Sequence, residues 1–275
     1  MDIRPRTIAI TNRKGGSGKT TTAVNVAAEL TARDARVLII DLDPQNHVAI
    51  GLGLQEDVRI GSHCVFAGKE SQLSQAIHST PTGVDVIPAD PAFDGSHPGG
   101  DWHRLRRALC HPAFEPYDVI ILDTPPSMDS ILMNALMASG SVLVPLIPHH
   151  LAAAGVRALS RLFMRASLSG GHQPNLLGIL PVMVDRRVRL QRSVLDELAA
   201  EFGATRILRG IRSDIRLAEA FGEGRPVRDV APRSRGSMDY FLVAEALVRG
   251  AGLPNLEHGC VDVYPKSQAL QGGLQ

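Results

Sequence analysis

Short apolar runs rich in β-branched residues alternate along the chain with longer segments in which apolar residues recur at helical spacing. The run Arg36–Leu42 is apolar at nearly every position, which is typical of a strand buried on both faces of a parallel sheet. Further strands are predicted at Thr7–Thr11, Val84–Pro88, Asp118–Leu122, Ser141–Leu146 and Leu176–Met183. Helices are predicted at Thr20–Ala32, Ser130–Ala138, Ala152–Ser169, Leu190–Phe202 and Met238–Arg249.

This alternation predicts an α/β fold with a single, mostly parallel, twisted sheet flanked by helices on both faces and joined by right-handed crossovers. The stretch Asp94–Asp101 is rich in Gly and Pro and is predicted to be a loop. No linker divides the body, so we expect one domain over residues 1–250. Residues 251–275 contain several Gly and Pro residues and are predicted to form a loosely ordered tail.

A glycine-rich stretch, Lys14–Thr21, connects the first predicted strand to the first predicted helix. This context is typical of the phosphate-binding loop Gly-x-x-x-x-Gly-Lys-[Ser/Thr], although Arg13 stands where the first glycine is expected. Backbone N–H groups at a helix N-terminus can cradle phosphate oxygens. Lys19 is then predicted to reach the β- and γ-phosphates, and the Thr20 hydroxyl to bind Mg²⁺. The predicted nucleotide-binding residues are Lys14, Gly15, Gly16, Ser17, Gly18, Lys19, Thr20 and Thr21.

Composition excludes several classes of protein. The chain has 275 residues, of which 44% are hydrophobic and 21% charged, so it is neither disordered nor collagen-like. Its apolar runs are too short to span a bilayer, and its N-terminus does not resemble a secretion signal. The three cysteines, Cys64, Cys110 and Cys260, lie far apart, which indicates buried free thiols rather than a disulfide framework or metal cluster. We therefore expect a cytoplasmic protein.

Charge adds one more observation. The net charge is only +1, and just four of the 29 basic residues are lysines. Two of these lysines, Lys14 and Lys19, lie in the glycine-rich loop, which indicates that the chemistry there needs an ammonium group rather than a guanidinium.

With these motifs the chain resembles the ParA/MinD ATPases, and more narrowly their ParA/Soj partition branch. The loop Lys-Gly-Gly-x-Gly-Lys-Thr is that family's deviant Walker A motif. The resemblance extends over Asp41–Gln45 and over Ile120–Pro126, which matches the Walker B motif and switch II. It continues to two C-terminal landmarks, Ile215–Ala220 and Ala231–Gly236. The resemblance implies an ATPase that uses ATP and Mg²⁺ and forms a homodimer enclosing two nucleotides.

The resemblance also implies roles for individual residues. Lys14 would reach the phosphates bound by the partner subunit, and Asp43 would position the attacking water. Asp123 would hold a water bound to Mg²⁺. Asp41 would belong to the network around the ion, with a structural role at the strand end as the open alternative. The implied switch residues are Asp43, Pro44, Thr124, Pro125 and Pro126.

Two groups of arginines are candidate DNA contacts. The first arginine cluster comprises Arg206, Arg209, Arg212 and Arg216, and the second comprises Arg186, Arg187, Arg189 and Arg192. Such clusters attract phosphate backbones without reading sequence, but they are also compatible with a solvated arginine-rich face. By resemblance to Soj-type proteins, Arg187 and Arg216 are the implied contacts to non-specific double-stranded DNA. The implied partner is a ParB-like or analogous protein on a cargo that stimulates hydrolysis, and the implied location is the nucleoid.

Alternative functions on the same fold stay open. One is a MinD-like ATPase on a membrane surface, although the Gly/Pro-broken tail does not resemble an amphipathic membrane helix. Another is a carboxylate-activating synthetase, such as the dethiobiotin and cobyrinic acid synthetases, which usually lack a lysine matching Lys14. An electron-transfer ATPase like the nitrogenase iron protein would need cluster cysteines near switch II. The loop Ile147–His150 departs from the Gln-x-Glu-Tyr of many relatives, and its adjacent histidines lack the spacing of metal ligands on a helix.

Overall fold

The structure is a computed structural model that describes residues 6–54, 58–90, 93, 100–127, 130–170 and 174–251, with only the backbone described for 166–170. Most of the predicted loop Asp94–Asp101 and the predicted tail after residue 251 lie outside the described residues, as does Cys260. No helix in these ranges is long and apolar enough to cross a membrane.

The described residues form one seven-stranded sheet with the strand order β3-β4-β2-β5-β1-β6-β7. All neighbouring strands are parallel except the edge pair β3 and β4, which is antiparallel. The strands are β1 (Arg6–Ile10), β2 (Val37–Asp41), β3 (His78–Ser79), β4 (Asp85–Ile87), β5 (Val119–Asp123), β6 (Ser141–Leu146) and β7 (Asn175–Pro181).

Helices cover both faces of this sheet. They are α1 (Lys19–Thr31), α2 (His47–Gly51), α3 (Arg104–Ala108), α4 (Ser130–Ala138), α5 (Ala152–Gly170), α6 (Arg189–Phe202), α7 (Ile215–Gly222), α8 (Val227–Val230) and α9 (Arg235–Gly250). Helices α1, α2, α7, α8 and α9 pack together on one face, and α3 to α6 pack on the other. Short 3₁₀ helices occupy Ser62–Val65, Glu70–Ala76, Pro112–Phe114 and Ala204–Arg206.

The core consists of two apolar layers, one on each side of the sheet. In β1, Ile8 and Ile10 pack toward α1 and α9, whereas Ala9 packs toward α4 and α5. Strands β2 and β5 divide their side chains in the same alternating way, and every residue of both strands is buried. Because both faces are covered, the central strands are continuously apolar, as the sequence predicted.

The sequence-based expectations for the fold class and for the predicted strands and helices are confirmed, with ends that differ by up to three residues. The antiparallel strand β3 and the helices α2, α3, α7 and α8 were not predicted. The four helices have eight residues or fewer, which is at most about two turns, and β3 has only two residues, so neither helical spacing nor strand alternation repeats often enough to identify them. The expectation of buried thiols holds for Cys64 but is wrong for Cys110, which is exposed at the end of α3.

Candidate functional site

The predicted motifs meet at one edge of the sheet, where the carboxyl ends of the parallel strands lie. Strand β5 lies between β1 and β2, and its last residue, Asp123, is in register with Ile10 on one side and Asp41 on the other. The glycine-rich loop leaves β1 at this edge, beside both carboxylates. In open α/β sheets ligands bind at this edge, where connections leave a central strand in opposite directions.

The loop adopts a backbone that requires glycine at two places. Gly16 has φ of +69° and Gly18 has φ of +79°, both in the left-handed region. A Cβ added to Gly18 would also lie 3.3 Å from Cγ2 of Val182. Gly18 is the N-cap of α1, so the free N–H groups of the first helical turn face the loop. This arrangement suits an anion, which the backbone N–H groups and the positive end of the helix dipole would bind.

Lys19 and Thr20 connect the loop to Asp123. The Lys19 side chain is buried, and its Nζ lies 3.5 Å from the backbone oxygen of Lys14. Burial lowers the pKa of Lys19, while the carboxylates of Asp123 and Asp43 act in the opposite direction. The Thr20 hydroxyl donates to Oδ2 of Asp123 at 2.7 Å. The structure thus places a buried cation, a hydroxyl and a carboxylate around the base of the loop.

Two buried carboxylates lie side by side at this point. Burial raises the pKa of Asp123 to about 7, and burial followed by the neighbouring Asp123 raises the pKa of Asp41 well above its usual value. Asp41 accepts backbone N–H bonds from Asp43 at 2.9 Å and Val48 at 3.1 Å. In contrast, Oδ1 of Asp123 is buried and has no hydrogen-bond partner among the described residues.

These groups fit a divalent cation. Two adjacent buried acids and an unpartnered carboxylate oxygen create a local need for positive charge that Lys19 alone does not meet. No group of three or more His, Cys, Asp or Glu side chains suited to a metal occurs within the described residues. Magnesium in phosphate-transfer sites typically needs only one or two protein oxygens, because phosphates and water complete its octahedron. Thr20 and Asp123, which lie in contact at the base of the loop, are the residues that would hold it.

The segment after β2 is held in place by buried side chains of the 3₁₀ turn beside it. The Ser62 hydroxyl donates to the backbone oxygen of Asp41, and Nε2 of His63 lies 3.1 Å from the backbone oxygen of Leu42. Asp43 follows, half-buried, with its Oδ1 accepting from the backbone N–H of Gln45 at 3.1 Å. Sequence reasoning missed Ser62 and His63, because nothing in their local pattern links them to a strand end twenty residues earlier.

The segment after β5 begins with the buried residue Thr124 and continues to the exposed residue Pro126. Thr124 is buried, and its hydroxyl donates to the backbone oxygen of Ile10 at 2.9 Å. Pro125 is buried as well, whereas Pro126 is exposed and lines a cavity near Lys14. The predicted switch residues Asp43, Pro44, Thr124, Pro125 and Pro126 therefore follow two neighbouring strands and flank the glycine-rich loop.

Lys14 is exposed, and its contacts lie in the segments that follow β1 and β6. Its backbone N–H donates to Oδ1 of Asn12 at 3.0 Å, and the Asn12 amide in turn donates to the backbone oxygen of Pro145 at 2.7 Å. Nζ of Lys14 lies 2.7 Å from Nε2 of His149, which follows β6. Sequence reasoning assigned neither Asn12 nor His149 to the site. The only local signal was that an Asn directly follows the first strand.

A cavity of about 480 Å³ opens beside the loop, on the α1 side of the sheet. Gly18 and Thr21 form one wall, and Tyr240 of α9, which lies 3.2 Å from the Thr22 hydroxyl, contributes to its base. The remaining lining is mostly apolar and comes from the segments after β7 and before and within α7: Val182, Met183, Ile211, Arg212, Ser213, Asp214, Ile215, Leu217, Ala218 and Phe221. An apolar cavity that adjoins an anion-binding loop suits a ligand with a flat ring and a phosphate chain.

The two arginine clusters lie on adjoining segments, because Val184 and Arg212 form a parallel bridge. Within the first cluster, Arg212 already forms a contact inside the protein. Its guanidinium forms a two-pronged ion pair with the buried Asp239, at 2.8 Å for both Nε–Oδ2 and Nη2–Oδ1. Such a pair is a structural contact, because freeing Arg212 would leave a buried charge without a partner.

The other arginines of these clusters differ in whether their side chains form hydrogen bonds or ion pairs within the protein. Arg206 donates to the backbone oxygen of Leu176 at 2.7 Å, and Arg216 pairs with Glu219 at 2.7 Å. Arg187 is exposed, as are the other arginines of the second cluster, and none of them forms an ion pair with a described residue. The second cluster is therefore the more accessible positive surface.

This chain is similar in sequence to several known proteins. The profile of a family described as an AAA domain matches residues 5–170. The chromosome-partitioning ATPase Soj of Thermus thermophilus is 36% identical over 250 residues, which cover 90% of this chain and 97% of Soj. The chromosome partitioning protein ParA of Caulobacter vibrioides is 34% identical, with 90% and 96% covered.

A solved structure also matches over most of its length. It is named cobyrinic acid a,c-diamide synthase from Mycobacterium smegmatis, holds an ATP analog and magnesium, and superposes with a TM-score of 0.74 at 30% identity, covering 89% of this chain and 95% of that one.

Proposed function

Because this chain belongs to the ParA/Soj family of chromosome-partitioning ATPases, we propose that it is an ATP-dependent switch that positions or segregates a cargo. In the ATP state it forms a homodimer that binds double-stranded DNA without sequence preference. Hydrolysis, stimulated by a cargo-bound partner protein, then releases it. The observation that supports this proposal best is the meeting of the glycine-rich loop, Lys19 and the Thr20–Asp123 contact at one edge of the sheet.

The proposed nucleotide site uses groups that are already arranged. The triphosphate lies over the loop, where the backbone N–H groups of Gly15 to Thr20 and the ammonium of Lys19 bind its oxygens. The adenosine part occupies the 480 Å³ cavity beside Gly18 and Thr21. Thr20 and Asp123 hold Mg²⁺, directly and through water, and Asp41 supports that network. When bound, the ion neutralises charge on the phosphate oxygens.

Hydrolysis requires a water in line with the γ-phosphate. We assign the orientation of this water to the carboxylate of Asp43, which lies close enough to Lys19 to influence its pKa and is held by the Asp41–Gln45 turn. The γ-phosphate also contacts Pro44 and the segment Thr124–Pro126. Loss of that phosphate removes contacts to both switch segments, so the dimeric state is no longer stabilised.

The dimer gives the first test of this function. Lys14 is exposed, and its Nζ lies beside His149, which suits a cation that is accessible to the partner's phosphates. Lys14→Ala or Lys14→Gln is expected to leave nucleotide affinity of the monomer within about threefold of the parent chain. It should weaken dimerisation at least about ten-fold, because a charge-assisted hydrogen bond contributes roughly 1.5–3 kcal/mol. Light scattering with a non-hydrolysable ATP analogue measures the dimer.

Lys69→Gln is the matched control, since Lys69 is an exposed lysine outside the glycine-rich loop and should behave like the parent. A Lys14 variant that dimerises and hydrolyses ATP like the parent would contradict the proposed contact of Lys14 with the partner's phosphates.

DNA binding gives the second test. Arg187→Glu and Arg216→Glu are each expected to weaken binding to duplexes of any sequence, by roughly ten-fold for each phosphate that the arginine no longer binds. Arg187 should have the larger effect, because Arg216 must first leave Glu219. Neutral variants, such as Arg187→Ala, should lower the slope of log affinity against log salt concentration by about one. Fluorescence anisotropy with two unrelated duplexes at several salt concentrations measures both quantities.

Arg106→Glu is the matched control, because Arg106 is an exposed arginine on α3 outside both clusters. Strong preference for one duplex, or binding that does not respond to salt, contradicts a mode based on phosphate contacts alone.

A second candidate function follows from the Mycobacterium structure named for cobyrinic acid a,c-diamide synthesis. An enzyme of that class would transfer the γ-phosphate to a carboxylate before amidation. The exposed Lys14 and the Asp41–Gln45 motif favour the partition ATPase instead. The two functions separate in one assay: phosphate release should respond to DNA and partner protein in the first case, and to a corrinoid carboxylic acid with an amide donor in the second.

A further inference from the structure

His63 is a buried histidine next to the segment that carries Asp43. It belongs to the 3₁₀ turn Ser62–Val65, and its side chain is 1% exposed. A buried polar ring costs free energy unless hydrogen bonds replace the water that it loses. Both ring nitrogens have backbone partners, one in the segment after β2 and one in the segment after β4. The ring therefore connects these two segments.

The contacts of His63 determine which ring nitrogen carries the proton. Nδ1 accepts from the backbone N–H of Asp90 at 3.1 Å, so Nδ1 carries no proton. Nε2 lies 3.1 Å from the backbone oxygen of Leu42, which can only accept. The Ser62 hydroxyl lies 3.4 Å from Nδ1 but donates to the backbone oxygen of Asp41. The neutral ring thus carries its proton on Nε2 and donates it to Leu42.

Packing fixes the orientation of this ring. The rings of His63 and Phe93 stack, with 4.0 Å between their centroids and 17° between their planes. Gly61, just before the turn, lies directly against the backbone of Asp90, and a Cβ at this position would collide with the backbone nitrogen of that residue. The turn is therefore anchored to the segment after β4, and His63 extends from it to the segment after β2.

The group that His63 holds is the peptide unit between Leu42 and Asp43. Its oxygen accepts from His63, and its N–H donates to Oδ1 of Asp41 at 2.9 Å. Because a peptide unit is planar, hydrogen bonds at both of its ends fix its rotation. The backbone oxygen of Asp43 then accepts from the N–H of Asn46 at 2.9 Å, which closes a turn. The side chain of Asp43 leaves the backbone between these fixed points.

We propose that His63 is a positioning residue for hydrolysis, which fixes the Leu42–Asp43 peptide through its Nε2–H and so directs the Asp43 carboxylate at the attacking water. This inference rests on the proposed function, because Asp43 must orient that water. A displacement of a reacting group by about 1 Å can cost roughly 10²-fold in rate. Loss of the contact to Leu42 should therefore slow hydrolysis and leave nucleotide binding intact.

Two substitutions of His63 separate its two hydrogen bonds. His63→Asn places an oxygen near the position of Nδ1, which keeps the acceptor for Asp90 and removes the donor to Leu42. His63→Gln extends an amide nitrogen to the position of Nε2 and keeps the donor. We expect His63→Asn to lower the rate of single-turnover ATP hydrolysis about ten- to hundred-fold, and His63→Gln to stay within about threefold of the parent.

Nucleotide affinity separates positioning from general damage to the site. Calorimetric titration with a non-hydrolysable ATP analogue and Mg²⁺ should give affinities within about threefold of the parent for both variants, because only the chemical step is affected. In an Asp43→Ala background, His63→Asn should slow hydrolysis by less than about threefold further, since His63 acts through Asp43.

Val65→Ala is the matched control, because Val65 is a buried apolar residue of the same 3₁₀ turn. It should lower the melting temperature and keep the rate of hydrolysis within about threefold of the parent, since it leaves the donor to Leu42 in place. If Val65→Ala slows hydrolysis as much as His63→Asn does, or if His63→Gln is as slow as His63→Asn, the positioning role is wrong.

One measurement needs no variant. Side-chain ¹⁵N NMR of the parent chain should show His63 protonated at Nε2. A ring that is protonated only at Nδ1 cannot donate to Leu42 and overturns the inference, even if His63→Asn does not fold.

The outcomes also separate this inference from the proposed function. If Asp43→Ala fails to hydrolyse ATP but His63→Asn hydrolyses it like the parent, the inference is wrong and the proposed function stands. If His63→Asn lowers nucleotide affinity as much as rate, His63 supports the whole site and does not position Asp43. A parent chain that does not hydrolyse ATP, or an Asp43→Ala chain that hydrolyses it normally, overturns both the inference and the mechanism on which it rests.

Discussion

Asp43→Ala should bind ATP but almost cease to hydrolyse it. Lys19, Thr20 and the backbone of the loop stay in place, because the Asp43 side chain accepts a hydrogen bond from the nearby Gln45 N–H rather than from the loop. Removal of a group that orients the attacking water typically costs roughly 10²–10⁴-fold in rate. The variant should therefore accumulate as a dimer on DNA and stay there when the partner protein is added. Phosphate release and DNA retention after an ATP chase measure the two effects.

Two comparisons sharpen this experiment. Asp196→Ala removes an exposed carboxylate on α6 and should behave like the parent. Asp123→Ala should lose nucleotide affinity as well as rate, because Asp123 contacts Thr20 and is placed to support Mg²⁺. If Asp43→Ala hydrolyses ATP normally, or never reaches the DNA-bound state, the mechanism assigned to this site is wrong.

Lys19→Ala should abolish productive ATP binding. Lys19 is assigned to both the β- and γ-phosphates, and two hydrogen bonds between charged groups contribute roughly 1.5–3 kcal/mol each, or roughly 10²–10⁴-fold in affinity together. Burial holds the ammonium close to the loop, so no exposed lysine can replace it. Calorimetric titration with a non-hydrolysable ATP analogue measures the loss.

Lys14→Ala serves as the control from the same loop, because it removes an exposed lysine that is assigned to the partner's phosphates. Its monomeric nucleotide affinity should be near that of the parent. A Lys19→Ala chain that melts at the parent temperature and binds the analogue with near-normal affinity would contradict the assignment of the phosphate-binding loop.

Most of the fold could be predicted from the sequence, because the patterns that identify its main strands and helices are local. The central strands are continuous apolar runs, and α1 begins directly after a glycine-rich loop, so neither needs information from distant residues. The short elements α2, α3, α7, α8 and β3 carry no such signal. Their conformations depend on packing against the rest of the chain.

The sequence by itself determined the phosphate-binding loop, since all its groups are contiguous and two of its positions need glycine for backbone reasons. It also indicated the family. Only the tertiary structure decided which distant residues meet there. The order of strands places Asp41 beside Asp123. His149, which follows β6, contacts Lys14 although the two residues are 135 positions apart. Asp239 forms an ion pair with Arg212, which is then not available to the positive surface. These contacts have no local pattern, because a parallel sheet gathers the carboxyl ends of strands that lie far apart in the chain.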